Sequence, residues 1–244
     1  MEARLDKWLW AARIFKTRTI AADACKNGRI SIAGVKQKAS KMIKEGDIIK
    51  FGKYPQGENG EVKPIEWLVL EVKPDEALLI SRYGIECKQY LCPKYTRSNW
   101  HDCTLREWLN NDFVELAFSE EEEKKIKYSI NGKTTFIEYD TKDWNTTKDK
   151  VFCLNYAEFV WYFKHDDINK KCKPTEYIIK RKRDKKIYLR GFLSGYCSWW
   201  LRSDKESFFA TVINFNGNIT DKRPAGSSTC VRPALRLILN RGEL

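Results

Sequence analysis

The 244-residue chain has no run approaching the roughly 20 apolar residues that a membrane-spanning helix requires, so no span is expected. Met1 leads straight into charged residues rather than an apolar stretch, which is unlike a secretory signal; a cytoplasmic protein is the expectation. Histidine is scarce, with only His101 and His165. No Ser or Cys stands in a recognisable motif beside a base, and no glycine loop has the pattern that cradles phosphates. The eight cysteines are dispersed and none forms a C-x-x-C pair, so in a reducing compartment they are expected as thiols. Cys87, Cys92, His101 and Cys103 make a C-x4-C-x8-H-x-C series, but the spacing fits no usual zinc module, and thiols packing as small hydrophobes is the reading taken. No catalytic residue, cofactor or metal is expected.

What is present is positive charge, and it is unevenly placed. The first fifty residues hold 12 Lys or Arg against 5 Asp or Glu, +7 of the net charge of +12. The remainder is nearly balanced, with 33 basic and 28 acidic side chains, and holds seven of the nine Trp and all eleven Tyr. That split favours two domains, residues 1–47 and 48–244. A compact cationic unit suits a polyphosphate partner, because each neutralised phosphate releases condensed counterions.

Leu5, Trp8, Leu9, Ala12 and Phe15 recur at helical spacing and predict an amphipathic helix with Arg4, Lys7 and Arg13 mostly off its apolar face. Trp8 is read as core; Trp10 falls on another side of the helix, exposed or against the second domain. Thr17 is a candidate N-cap for a second helix with Ile20, Ala21, Ala24 and Cys25 as its apolar face and Gly28 as its terminator. Short strands and turns follow from Arg29 to Asp47.

The run RLDKWLWAARIFKTR, then AADACKNGRISIAG and KASK, resembles the S4-type RNA-binding domain, especially its small single-domain members, the ribosome-associated heat-shock proteins and their bacterial relatives. The resemblance covers residues 1 to about 50. It implies two helices packed on a small bent sheet, with RNA lying across the helix pair and the hairpin. The positions matching the family's binding surface are Arg4, Lys7, Arg13, Lys16 and Arg18 on the helices, with Arg29, Lys36, Lys38, Ser40 and Lys41 around the hairpin. Ala33 stands where the family usually has Asn before the turn glycine, so the turn is expected to adjust.

Beyond residue 48 the pattern predicts strands at 48–51, 65–72 and 77–81, a helix capped by Thr104, a capping box at Ser119–Glu122, and a helix capped by Asn155. A hairpin around Asn216-Gly217-Asn218 and a closing strand over 231–239 follow. Without a βαβ rhythm, an α+β domain is expected. The fragments FGKYPQ, PIEWLVLE, ALLISRYGIEC, LREWLNNDF, AFSEEE, WWLRS and VRPAL resemble a bacterial family of unknown function, itself similar to the C-type-lectin-like fold.

Two features of this body invite a functional reading. In Trp199-Trp200-Leu201-Arg202, alternation along a strand sends one indole inward and leaves Trp199 or Trp200, with Arg202, to form a surface for a ligand or protein; the alternative is that both indoles are buried and Arg202 pairs with an acid. Arg232 carries the same ambiguity. The run Lys180–Lys186 (KRKRDKK) reads as a solvated hairpin tip, or as an extension of a phosphate-binding track. The expected function is RNA binding on ribosomal RNA or ribosome-held tRNA, with a body that binds a protein or glycan. The alternatives are a protein- or glycan-binding module with an incidental basic head, and an RNA-modifying enzyme, for which no catalytic Asp motif or methyl-donor loop is found.

Overall fold

The computed structural model describes residues 3–11, 15–27, 31–32, 35–36, 42–91, 99–131, 146–187, 192–202, 209–224 and 228–239. The N-terminal unit comprises β1 (Ala3–Arg4), α1 (Leu5–Ala11), α2 (Arg18–Lys26), β2 (Ser31–Ile32), β3 (Val35–Lys36) and β4 (Met42–Ile43). β1 pairs antiparallel with β4 beside α1, and β2 pairs antiparallel with β3. Thr17 caps α2 as expected: its extended backbone lets Oγ1 accept the Ile20 N–H at 3.1 Å. Leu5, Leu9, Ala21, Ala24 and Cys25 are buried, and Phe15 and Trp10 pack half-buried beside them. Ile20 departs from expectation at 46% exposure. It sits in the first turn of α2, where the stripe of Ala21, Ala24 and Cys25 has already turned towards α1. Ala12, Gly28 and Ala33 lie outside the described residues, as does the Trp8 side chain.

The turn after β4 ties this unit to the body through the backbone. Gly46, at φ +87°, donates its N–H to Val69 O at 2.8 Å, and Val69 returns its own N–H to Asp47 O at 2.9 Å. The Asp47 carboxylate closes the turn by accepting the Lys44 N–H.

The body begins with β5 (Ile48–Pro55), β6 (Val62–Val72), β7 (Glu76–Ser81) and β8 (Glu86–Lys88). Next come α3 (Thr104–Asn110), α4 (Asp112–Ala117), α5 (Glu120–Glu123), β9 (Ile126–Lys127), β10 (Ser129–Asn131), β11 (Thr147–Asp149) and β12 (Val151–Phe152). After α6 (Tyr156–Phe163), α7 (Asp167–Lys170) and α8 (Glu176–Arg183) come β13 (Phe192–Leu193), β14 (Tyr196–Cys197) and β15 (Trp199–Trp200). The chain closes with β16 (Phe209–Ile213), β17 (Ile219–Pro224), β18 (Thr229–Val231) and β19 (Ala234–Ile238). One sheet runs β12-β19-β7-β6-β5 with β9 also on β19; the other runs β17-β16-β15-β18-β8. Among the described strands the pairings are antiparallel except β15 with β18, so the fold is α+β.

β7, an inner strand between β6 and β19, is buried along its whole length, and the run EALLIS lacks alternation, as strands covered on both faces do. Trp67, fully buried in β6, donates its indole N–H to Phe51 O at 2.7 Å, and Phe118 stacks beside both rings. Burying each such side chain contributes about 1.5–3 kcal/mol. Phe118 also explains Gly52: at φ +65°, a Cβ there would meet its ring at 2.5 Å.

The capping boxes at Ser119 and Asn155 form as expected, with Glu122 and Glu158 as reciprocal partners. Three expectations are corrected. Cys103 rather than Thr104 caps α3, its sulfur accepting the Arg106 N–H at 3.4 Å. The closing strand is two strands, parted at Arg232-Pro233. The basic run is not a hairpin tip: Lys180 to Arg183 form the last turn of α8, where cations face the negative pole of the helix, and Lys185 at φ 56° reverses the chain.

Candidate nucleic-acid interface

The N-terminal cations are organised around one carboxylate that sequence reasoning passed over. Asp6, only 3% exposed at the start of α1, accepts Arg4 Nε at 3.1 Å and Arg18 Nε at 3.0 Å. Burial pushes its pKa up, but hydrogen bonds from Arg4, Arg18 and the Lys7 N–H outweigh that, and the net shift is downward. Asp6 thus stays ionised and holds two guanidiniums, one from β1 and one from the first position of α2, while each keeps about half its side chain in water. The only sequence sign of this is an acidic residue two positions from Arg4 in an otherwise basic segment.

Lys16 is exposed, with no carboxylate at ion-pair distance among the described residues, and Lys7 is half-buried on α1. Three cationic side chains, Arg4, Lys16 and Arg18, therefore stand near the start of α2, where Arg18 and Thr19 are its first residues. A helix start carries partial positive charge. Lys36 lies in β3 opposite Ser31. Arg13, Arg29, Lys38, Ser40 and Lys41 lie outside the described residues.

In the body, the proposed ligand surface at Trp199, Trp200 and Arg202 is corrected. β15 is the middle strand of its sheet and both faces are covered, so alternation sends each indole into a different packed layer. Trp199 packs on Phe159 and Phe163, Trp200 on Tyr90, and neither indole is exposed. Their N–H groups donate to Lys170 O and Lys88 O. Arg202, 4% exposed, donates to Cys153 O at 2.8 Å and pairs with Glu158. Arg232 is likewise buried, bonded to Ser81 O and Asn169 O.

Several of the body's nucleophilic and acidic groups are bound up internally. The seven described thiols are all buried and unbridged. Desolvation pushes Cys87 and Cys103 up to about 12 and Cys230 up to about 11, which keeps them protonated at neutral pH. His101 is paired with Asp102 at 2.5 Å. Among the described residues no cluster of three His, Cys, Asp or Glu side chains is placed to hold a metal ion. A cavity of about 270 Å³ opens between Glu76, Lys127, Ser129, Phe152, Glu158 and Arg236. Its acids are engaged: Glu76 by Lys127 and Arg236, Glu158 by Arg202 and the Asn155 N–H.

Comparison with known proteins matches two segments of the chain. Residues 3–49 match the S4 domain, and residues 74–239 match a domain of unknown function, DUF6273. A heat shock protein 15 homolog of Aeromonas salmonicida is 43% identical over 49 residues, 20% of this chain and 37% of that protein. An RQC P-site tRNA stabilizing factor of Halalkalibacterium halodurans is 47% identical over 51 residues, 20% of this chain and 58% of that protein. The chain thus spans between about a third and three fifths of these curated relatives. The trimeric structure of Vibrio cholerae heat shock protein 15 aligns at 32% identity over 30% of this chain and 67% of that one, with a TM-score of 0.23.

Proposed function

From a chain that belongs to the DUF6273 family and carries an S4 domain at residues 3–49, we propose an RNA-binding adaptor whose head docks on structured RNA in the ribosome context, ribosomal RNA or ribosome-held tRNA. The single observation that carries this is the placement of Arg4, Lys16 and Arg18 near the start of α2, with two of them pinned by Asp6. Guanidiniums already fixed by a buried carboxylate lose little freedom when a phosphate joins them, so their positions are pre-organised. The boundary at 47/48, the C-type-lectin-like character of the body and a cytoplasmic setting belong to the same proposal. Binding is reversible, with no bond made or broken; protonated buried thiols and paired carboxylates support that.

The test is the salt dependence of binding to a labelled RNA stem-loop. Lys16→Ala with Arg18→Ala is expected to flatten the slope of log K against log salt by between about one and two and to weaken binding on the order of tenfold. Asp6→Asn releases both arginines and should steepen the slope. An unchanged slope in the first variant contradicts the assignment.

A second reading gives the body a protein partner, and two outward apolar residues favour it: Trp161 on α6 at 78% and Ile168 on α7 at 84% exposure. Both are large for solvated positions on neighbouring helices. If ribosome co-sedimentation survives the head variant but is lost with Trp161→Ser and Ile168→Ser, this reading carries the association; the reverse pattern removes it.

A further inference from the structure

Three of the body's thiols meet side by side although they lie far apart in the chain. Cys172, on the segment between α7 and α8, and Cys197, at the end of β14, face each other across an isolated antiparallel bridge. The Cys197 N–H bonds Cys172 O at 2.8 Å, and the Cys197 thiol donates to the same carbonyl at 3.4 Å. Antiparallel partners bonded in this way hold their Cα atoms about 5.5 Å apart, inside the roughly 4.4–6.8 Å that a disulfide spans, with both side chains on one side. The sulfurs of Cys172 and Cys197 are in hydrogen-bonding contact, and the Cys197 sulfur also reaches that of Cys230 in β18. Gly84 leaves room for the cluster: a Cβ there would stand 3.1 Å from the Cys230 sulfur and 3.3 Å from that of Cys197.

All three thiols are fully buried, and desolvation pushes those of Cys172 and Cys197 well above the ordinary thiol range. In the closed fold they are protonated and slow to react. Two features set Cys172 and Cys197 apart from thiols that only pack. The first is position. The β13–β14 hairpin that carries Cys197 is a two-stranded ribbon outside both large sheets, and its Leu193 is 56% exposed, so lifting it uncovers the pair at less cost than opening a sheet. Cys230, by contrast, sits on an inner strand between β15 and β8. The second is charge. The buried Arg232 guanidinium has no carboxylate at ion-pair distance among the described residues, and its charge favours the thiolate of either Cys172 or Cys197. Cys172 also stands between the exposed Lys171 and Lys173, which attract an anionic reagent.

We propose that Cys172 and Cys197 form a redox-active dithiol that a low-molecular-weight disulfide, oxidised glutathione being the probe, closes to a disulfide. Once the hairpin lifts, one thiol loses its proton and attacks the S–S bond of the oxidant; a mixed disulfide forms, and the glutathione thiolate released takes up a proton. The second thiol, losing its own proton, attacks the protein sulfur of the mixed disulfide and releases the second glutathione, which is protonated in turn. Two protein thiols are oxidised and one glutathione disulfide is reduced to two glutathiones. The bridge fastens the α7–α8 connection to the hairpin. This site is separate from the head, so it and the RNA reading fail independently. The experiment incubates the reduced full chain with oxidised glutathione at neutral pH without denaturant, blocks the remaining thiols by alkylation, and maps disulfide-linked peptides by mass spectrometry. The Cys172–Cys197 linkage should appear first, on the order of tenfold faster than any other bridge. Cys230→Ala should form it at a similar rate; if that variant fails to fold, the map of the parent chain decides alone. The urea midpoint of the oxidised chain should rise and return to its starting value with dithiothreitol. Survival of both thiols, a mixed disulfide that never closes, or a map dominated by another pair overturns the proposal.

Discussion

Replacing Asp149 by Ala is expected to cost about 3–5 kcal/mol, the range for stripping one member from a buried charged network. Asp149 is fully buried and accepts four hydrogen bonds: Trp100 Nε1 at 2.9 Å, Arg106 Nε at 2.6 Å, Asn131 Nδ2 at 2.8 Å and Thr147 Oγ1 at 2.6 Å. The donors come from the turn before α3, from α3 itself, from β10 and from β11, so the carboxylate binds the α3 region to the β10–β11 ribbon. Its removal leaves the Trp100 N–H and the Asn131 amide buried without acceptors, and the guanidinium without its counter-ion. Asp149→Asn keeps the shape but presents an amide N–H to a ring of donors, and should recover only part of the loss. Urea unfolding followed by tryptophan fluorescence reads both, and a cost under about 1 kcal/mol for the Ala variant would show that water replaces the carboxylate.

Arg232→Ala is expected to cost a similar 3–5 kcal/mol, for a different reason. The Arg232 guanidinium is buried, has no carboxylate at ion-pair distance among the described residues, and lies 5.0 Å from the centre of the Trp199 ring and 5.5 Å from that of Phe163. Burial lowers its pKa, with part of that opposed by the charge of Asp166. Truncation opens a cavity between the two rings and orphans Ser81 O and Asn169 O, one in the large sheet and one in α7. Arg232→Met keeps the stem's volume and removes the buried charge, so it should cost less than Ala. Equal loss from Met and Ala would mean that the hydrogen bonds alone carry the contribution, and a loss below about 1 kcal/mol from Ala would refute the packing argument. Both variants act on the body and should leave the head's contribution to the salt slope intact in chains that remain folded.

These two residues also show where pattern reading stops. Thr17, Ser119 and Asn155 were legible because a cap is a bargain between a side chain and a backbone N–H three residues away. Cys103 was missed as the cap of α3 because a thiol is a weak acceptor and Thr104 beside it is the better statistical choice. The KRKRDKK run was misplaced because charge periodicity alone does not distinguish a helix end from a loop; the buried Ile178 and the fit of cations to the helix pole decide for the helix. In the head, the cationic character was plain, but the clamp on Asp6 was not, since it joins residues 12 positions apart through burial that no local pattern encodes.

Charge segregation and the two family-like motif sets lie in the order of residues and needed no coordinates: a basic S4 head ahead of an α+β body. The fate of Trp199, Trp200, Arg202 and Arg232 did need them. Strand alternation says only that neighbours point apart; whether either side meets water depends on what the rest of the chain lays over the sheet, and here helices and aromatic rings cover both. The same holds for Lys171 over the Tyr196 ring and Lys182 over the Phe192 ring, pairs that meet only after the chain has folded, because ring and ammonium are brought together by packing rather than by proximity along the backbone.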